Sequence, residues 1–393
     1  MSKIKKRVLL LSNFLPFKET KYIAAGYNVT LKIIDDLASD GYRIDFLGLV
    51  NNENMDEIKF YKNASINNIY VFNITKLKKI VNIFKNLTKP ILCSVRFDER
   101  IIKKLNEIKK DYDIIFIDYT QNIGYIEYLE NTKAKKIIFE QDVAYQSFER
   151  KYKTEKNIVK KICYYLEYYR LKKYEKKLIK KYDCVIVPSV KDYDLIKNEA
   201  RKMSILQPFF NKIIRNKNKS NTLNIGFFGA MNRKENEEAV LWFLENIWES
   251  IVTDNIYFYI IGANPGDKLK KKIKMYKNIY LTGYIDDLTE YFSVLDIGVI
   301  PLFKGAGIKI KTLEMLYAEI PCVSTLIGIE GINVEPDVDI LLSTTTEEFI
   351  HNLNRLITDH TLRNKISENL KNNKSNLFNG LEINEIFKNV NKE

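Results

Sequence analysis

The chain has 393 residues, 46% of them hydrophobic and 29% charged, with a formal net charge of +13. That length exceeds one ordinary domain and the apolar share is ample for folded cores, so extensive disorder is excluded and two domains are expected. The charge is lopsided: residues 1–200 carry 39 Lys and Arg against 26 Asp and Glu, whereas residues 201–393 carry 24 of each. A first half that faces a polyanion, such as an anionic membrane surface or an acidic acceptor, would show this asymmetry, and so would compositional drift toward lysine.

Cys93, Cys163, Cys184 and Cys322 are isolated and form no CxxC pair, which excludes a cysteine zinc site and fits a reducing compartment. The two histidines, His351 and His360, both lie near the C-terminus, so a His-based metal site or a Ser/His triad elsewhere is excluded. No apolar run reaches the roughly 18 residues of a membrane span. Lys3, Lys5, Lys6 and Arg7 ahead of Val8-Leu9-Leu10-Leu11 imitate a secretory signal, but the apolar stretch stops at Ser12-Asn13 with no small-residue cleavage site. A first buried strand in a cytoplasmic protein is the expectation, with peripheral docking on the inner face of the cell membrane as its extension.

In chain order, short apolar runs predict strands at residues 7–12, 43–49, 69–72, 113–118, 136–140 and 183–188. Helical patterns fall between them at residues 28–38, 99–108 and 123–129. Residues 144–181 read as one long helical region rich in lysine and tyrosine, suited either to a packed helix with a solvated face or to an anionic membrane surface. A polar segment at residues 211–222 reads as an interdomain linker. Strands resume at residues 224–229, 257–261, 279–281, 296–301 and 321–325, and helices at residues 346–357, 362–370 and 383–390 close the chain. The alternation gives an α/β fold with two mainly parallel sheets: an N-terminal domain at residues 1–210 and a C-terminal domain at residues 223–375. Residues 376–393 form a final helix that could return to the first domain.

Ligands of such sheets bind outside the carboxyl ends of strands, so the chemistry is sought at strand-to-helix turns. The most informative turn is Lys304-Gly305-Ala306-Gly307-Ile308-Lys309-Ile310-Lys311-Thr312-Leu313-Glu314. Glycines let a ligand approach the backbone, amides at a helix start favour phosphate oxygens, and Lys309 and Lys311 add positive charge. Lys311 and Glu314 are three apart and share a helical face, so a cation and a carboxylate able to accept ribose hydroxyls meet one ligand together.

This turn, taken with Tyr280 to Asp287, Tyr291 to Pro301, Pro321 to Thr325 and Gly328-Ile-Glu330-Gly331, resembles the donor-binding half of group 1 glycosyltransferases. These are retaining enzymes of GT-B architecture, also called glycosyltransferase family 4, in which two Rossmann-like domains face an interdomain cleft. The resemblance implies that Glu314 binds the nucleotide ribose. It implies that Lys309 and Lys311, with Arg233 and Lys234 after Gly229, neutralise a diphosphate cradled by Gly305 and Gly307. Many members carry a sugar-facing glutamate eight residues before the ribose-binding one, where this chain has Ala306. Gly283 and Tyr284 match the loop against the base, whose contacts are usually made by backbone. Asn236 is expected to cap the helix that follows Gly229. In the first half, Gly26 matches the glycine of the first strand-to-helix loop on the acceptor side. Gln141 and Asp142 stand where many members face the sugar, with Asp142 placed to bind the sugar or to assist deprotonation of the acceptor.

The implied function is metal-independent transfer of a hexose-type unit from a nucleoside diphosphate sugar to a hydroxyl of a cell-surface glycan or lipid-linked precursor, with no cofactor and no nucleic-acid partner. The alternatives are a sugar-nucleotide epimerase of the same two-domain shape and a non-catalytic binder of polyanions or glycans. Three Asp-x-Asp stretches, such as Asp337-Val-Asp339, are read as decoys of a metal motif that belongs to another fold.

Overall fold

The computed structural model describes residues 6–13, 25–50, 65–216, 222–251, 255–305, 307–378 and 380–392. The chain forms two compact units, Met1–Gln207 with Gly380–Glu393, and Pro208–Asn379.

The first unit is built on β1 (Arg7–Ser12), β2 (Arg43–Val50), β3 (Ile66–Asn73), β4 (Ile114–Asp118), β5 (Lys135–Phe139), β6 (Cys184–Val187) and β7 (Met203–Ile205). All pair in parallel in the order β3-β2-β1-β4-β5-β6-β7. Central strands such as Ile-Ile-Phe-Ile-Asp in β4 are buried throughout, which is why they read as continuous apolar runs rather than alternating ones. Around the sheet lie α1 (Ala25–Ser39), α2 (Lys76–Lys85), α3 (Glu99–Ile108), α4 (Ala144–Thr154), α5 (Ile158–Ile179) and α6 (Val190–Ile196).

The second unit holds β8 (Leu223–Phe228), β9 (Ile256–Ile261), β10 (Ile279–Gly283), β11 (Ile297–Ile300), β12 (Cys322–Ser324) and β13 (Leu341–Leu342). Its sheet is parallel, in the order β10-β9-β8-β11-β12-β13. The principal helices are α7 (Lys234–Phe243), α8 (Asp267–Ile273), α9 (Thr289–Val294), α10 (Ile310–Tyr317), α11 (Thr346–Thr358) and α12 (His360–Asn373). A core of Phe227, Phe243, Trp248, Phe258, Phe292 and Phe349 packs on this sheet. The last helix, α13 (Ile383–Asn391), belongs to the first unit, where Phe387 meets Phe116 and Tyr42 edge-on and Lys388 pairs with Asp40 at 3.1 Å.

Four sequence expectations are corrected. The region 144–181 is two helices, because Glu155 adopts extended backbone and Asn157 caps the second, accepting from the Lys160 amide. Residues 120–128 form a 3-10 helix in place of an α-helix. α2 and the edge strands β7 and β13 are additional elements. Residues 211–216, read as the start of a linker, are fastened to the second unit. There the half-buried Arg215 donates to the carbonyls of Leu295 and Glu319, both at 2.6 Å, and Ile213 joins the core.

Candidate functional site

Three glycines stand at the carboxyl ends of three adjacent strands of the second unit: Gly229 after β8, Gly262 after β9 and Gly283 closing β10. Their φ angles are 151°, 154° and 77°, in the region that favours glycine. The Gly229 amide donates to the Ile261 carbonyl at 2.9 Å, and Gly262 and Gly283 form an isolated bridge. A Cβ at Gly262 would lie 2.0 Å from the Gly229 carbonyl oxygen, so the floor tolerates no side chain there.

The same sheet edge receives the start of α10. Lys309 occupies its N-cap position and Lys311 its first turn, where the leading amides precede the first intrahelical bonds. The Lys311 ammonium donates to Asn236 Oδ1, lies 5.0 Å from the centre of the Phe227 ring, and would be 3.1 Å from a Cβ at Gly229. Burial, with the positive charges of Arg233 and Lys309 adding to it, lowers its pKa to about 7. Lys309 is buried and donates to the Gly307 carbonyl at 2.6 Å and to Glu330 at 3.3 Å. One turn along, Glu314 is buried and its carboxylate accepts the Asn211 amide at 3.0 Å; burial raises its pKa despite that bond.

The structure therefore brings Gly229, Gly283, Arg233, Lys309 and Lys311 around one strand-end floor, with Glu314 one helical turn from Lys311. Gly305 and Gly307 take φ of 119° and 73° in the turn before α10, and Lys309 Cε lies 3.4 Å from a Cβ built on Gly305. Tyr284 is 76% exposed. Lys234 points to solvent beside Glu238 at 3.8 Å. Arg233 is the N-cap residue of α7, so the expected cap, Asn236, is corrected: it sits inside the first turn, donating to the Ala230 carbonyl at 2.8 Å while accepting from Lys311.

A second constellation closes β4 and β5 in the first unit. Asp118 is buried; one carboxylate oxygen accepts Ser12 at 2.8 Å and Thr30 at 2.7 Å, and the other accepts the Gln141 amide at 3.0 Å. Burial outweighs these bonds and pushes its pKa up to about 6. Tyr119, next in the chain, takes φ of 71°, a conformation costing a residue other than glycine about 1 kcal/mol or more. Gln141 thus spends its amide on Asp118, while Asp142 stays solvent-accessible beside it, its pKa raised by the surrounding protein and by Asp192. Behind them Glu140 and Glu175 are fully buried. Burial pushes both carboxyl groups well up, with Asp142 adding to Glu140 and Glu140 to Glu175. Gly26 lies in the first turn of α1, and the loop before it, residues 14–24, falls outside the described residues.

Sequence reasoning missed Asp118, Thr30 and Gly262. An aspartate ending an otherwise apolar strand was a usable signal for the first; the others show only once strands are paired. His351 and His360 are exposed, and Asp339, in a stretch read as a decoy, accepts the Glu335 amide within a turn.

Residues 222–359 match the family model described as glycosyl transferases group 1. That match lies within the second unit, where the motifs that carry the resemblance were read. At 29% identity over 117 residues, the chain is similar to an uncharacterized 44.6 kDa protein in the cps region of Klebsiella pneumoniae. The alignment covers 28% of this chain and 30% of that one, so the chain spans less than a third of the curated relative it matches. Solved structures share the fold along nearly the whole chain. Sucrose-phosphate synthase from Thermosynechococcus elongatus superposes with a TM-score of 0.63 at 14% identity over 95% of both chains. A glycosyltransferase from Rickettsia africae gives 0.62 at 14% identity over 99% of both. Anabaena Alr3699/HepE, solved with UDP and glucose, gives 0.60 at 12% identity over 98% of both. The architecture is GT-B, with two Rossmann-like domains.

Proposed function

We propose that the protein is a retaining glycosyltransferase that moves a hexose-type unit from a nucleoside diphosphate sugar to a hydroxyl of a cell-surface glycan or lipid-linked precursor at the cytoplasmic face of the membrane. The observation that carries this reading is the half-buried Lys311 above the floor of Gly229, Gly262 and Gly283, with Lys309 beside it and Glu314 one turn away. A cation held among other cations in a dehydrated site is relieved by an arriving dianion, and a diphosphate supplies one. Glu314 then accepts the ribose hydroxyls in exchange for part of its bond to the Asn211 amide.

In the reaction the acceptor hydroxyl attacks the anomeric carbon from the face the diphosphate leaves. The bond from that carbon to the phosphate oxygen breaks and the hydroxyl's proton passes to the departing phosphate. Lys311, Lys309, Arg233 and the amides opening α10 meet the charge that develops on the leaving oxygen. Asp142 orients the sugar or acceptor hydroxyl, and Gln141, held by Asp118, sets the angle of that loop. With the diphosphate met by lysines, the transfer should proceed in a chelator.

The test is thermal shift with a panel of nucleotide sugars, a uridine diphosphate sugar first because the Anabaena neighbour was solved with UDP, with and without divalent metal. Stabilisation by one donor, retained in chelator and lost in Lys311→Ala and Glu314→Ala, supports the reading. The absence of any shift across the panel overturns it and favours a binding module. The cps-region relative makes capsular glycan precursors the first acceptors to assay, and proton NMR of the product's anomeric configuration decides retention.

A further inference from the structure

An amphipathic helix on a folded protein normally turns its apolar stripe inward. α2 does the reverse. Leu77, Ile80, Val81 and Phe84 follow the i, i+3, i+4, i+7 spacing of one helical face, and all four are exposed, Leu77 by 76% and Phe84 by 69%. The buried residue of α2 is Asn82, whose amide donates to the Val95 carbonyl at 3.3 Å. The stripe continues past the helix through Leu87 and Ile91, both exposed.

A second stripe adjoins it. Ile158, Ile162, Tyr165, Leu166 and Tyr169 run along the outer face of α5, and all are exposed. The ends of the two stripes lie side by side: Arg170 on α5 donates to the carbonyls of Leu87 at 2.5 Å and Lys89 at 2.6 Å, in the loop that follows α2. The Leu92 amide bonds Glu167 of the same helix at 3.3 Å. Single exposed apolar residues are ordinary, but two adjoining stripes form a patch that calls for a partner.

The charge around the patch selects that partner. Residues 75–97 hold five lysines and one arginine, with Glu99 3.5 Å from Lys85 and Glu127 3.6 Å from Lys89, and residues 156–166 hold three further lysines, Lys156, Lys160 and Lys161. A protein partner with an apolar face needs no such frame of cations, whereas a bilayer with anionic headgroups presents hydrocarbon below and negative charge at the level of the lysines. We propose that α2 and the N-terminal half of α5 form a docking surface for an anionic lipid bilayer, with Phe84, Leu77, Ile162 and Leu166 entering the acyl boundary. The proposal concerns this surface alone. A failed transfer assay leaves it standing, and its failure leaves the transfer reaction standing.

The experiment is flotation of the full chain with vesicles of phosphatidylcholine alone and of phosphatidylcholine mixed with phosphatidylglycerol. The comparison runs across wild type, L77E/F84E, I162E/L166E and a control, K270E/K271E, that places carboxylates on the surface of the other unit. The wild type and the control should float with anionic vesicles and weakly with neutral ones, and each patch variant should lose about tenfold or more of its partition coefficient. Because a patch variant could misfold, Phe84→Trp gives an independent reading: its added fluorescence should shift to the blue with anionic vesicles only. Wild type that fails to float, float unchanged in both patch variants, or an added indole fluorescence in Phe84→Trp that is indifferent to vesicles overturns the proposal. So does a wild type that dimerises through the patch and, as that dimer, ignores anionic vesicles, which would make a second copy the occupant.

Discussion

The strand-end sites of the two units are opposites in charge. In the second unit, burial strands a cation: Lys311 lies among Arg233 and Lys309, and its pKa falls to about 7. In the first unit, burial strands a carboxylate: Asp118 holds three side-chain donors and still titrates near 6. The contrast lies in what satisfies each group. Asp118 is satisfied by neutral donors from its own unit, so it serves as an anchor for Ser12, Thr30 and Gln141. Lys311 finds a neutral amide oxygen and a ring face, and the nearby Glu235 carboxylate offsets only part of the effect of burial and of Arg233 on its pKa. A stranded group with a full set of internal partners is architecture; one whose charge is only partly compensated invites an anion.

The largest effect that could break this comparison is on donor binding. Lys311→Met should reduce transfer about 100-fold or more, in the range seen when one group stabilising a developing oxyanion is removed. It should also abolish the thermal shift given by nucleoside diphosphate while leaving the unliganded protein as stable or more so, since a poorly solvated cation beside Arg233 and Lys309 has been removed. Glu314→Ala should likewise abolish the nucleotide shift, with its loss appearing first in the KM for donor. A Lys311→Met protein that binds nucleotide normally would mean the lysine is architecture too.

Next in size is the glycine floor. Gly262→Ala sets a methyl 2.0 Å from the Gly229 carbonyl at a φ that alanine resists, so β8 and β9 must part. A loss of about 1–3 kcal/mol in denaturant unfolding is expected, together with weaker nucleotide binding, because Gly229 moves. Gly283→Ala meets open space and pays only for its positive φ, so it separates backbone strain from collision.

The two sites should also answer pH in opposite directions. Asp118 has a raised folded pKa, so the unfolded chain releases its proton first. Stability from this group is full below the ordinary aspartate range and declines as pH climbs through about 6, by an amount of order 3 kcal/mol at most. Glu140 and Glu175 extend the decline upward, since both are pushed well above the glutamate range. Lys311 has a depressed folded pKa, so between about 7 and the ordinary lysine range the unfolded chain holds the extra proton, and stability rises with pH. Amide hydrogen exchange in β4 and β8, followed against pH, reads the two units separately. Glu175→Gln should flatten the fall in β4, and Lys311→Met the rise in β8. Diphosphate binding restores the lysine's proton, so donor affinity should weaken as pH rises above about 7. An affinity flat across that range would mean that Lys311 does not bind the diphosphate as a cation.

The sequence carried the strands well where both faces are buried, because a run such as Ile-Ile-Phe-Ile has no other stable use; residues 7–12 are predicted and found as β1. It carried less where an element is short or its burial partial. β7 and β13 are edge strands of three and two residues, and α2 has its pattern inverted. On the candidate site, the grouping of Gly305, Gly307, Lys309, Lys311 and Glu314 at one strand-to-helix turn was legible because those residues are contiguous in the chain. Asp118 and Thr30 are 88 residues apart, so their bond depends on sheet order, which no local pattern carries. The role of Asn236 was misread for the same reason: its second partner, Lys311, is 75 residues away.

The smallest effect sharpens the reading of the base loop. Gly283 and Tyr284 share a loop, yet their side chains differ in what they can do. Gly283 shapes the backbone through its φ of 77°, whereas the Tyr284 ring is 76% exposed and its hydroxyl is influenced by Asp286 in the same turn. If the base is read by backbone groups, removing the ring takes away nothing that the base touches. Tyr284→Ala should then leave the KM for donor within about twofold, under 0.5 kcal/mol, as for surface changes that break no packed contact. A tenfold rise would instead reveal stacking of the ring on the base, worth about 1–3 kcal/mol in nucleic-acid analogues. That result would turn Tyr284 from a bystander into the residue that selects the nucleotide.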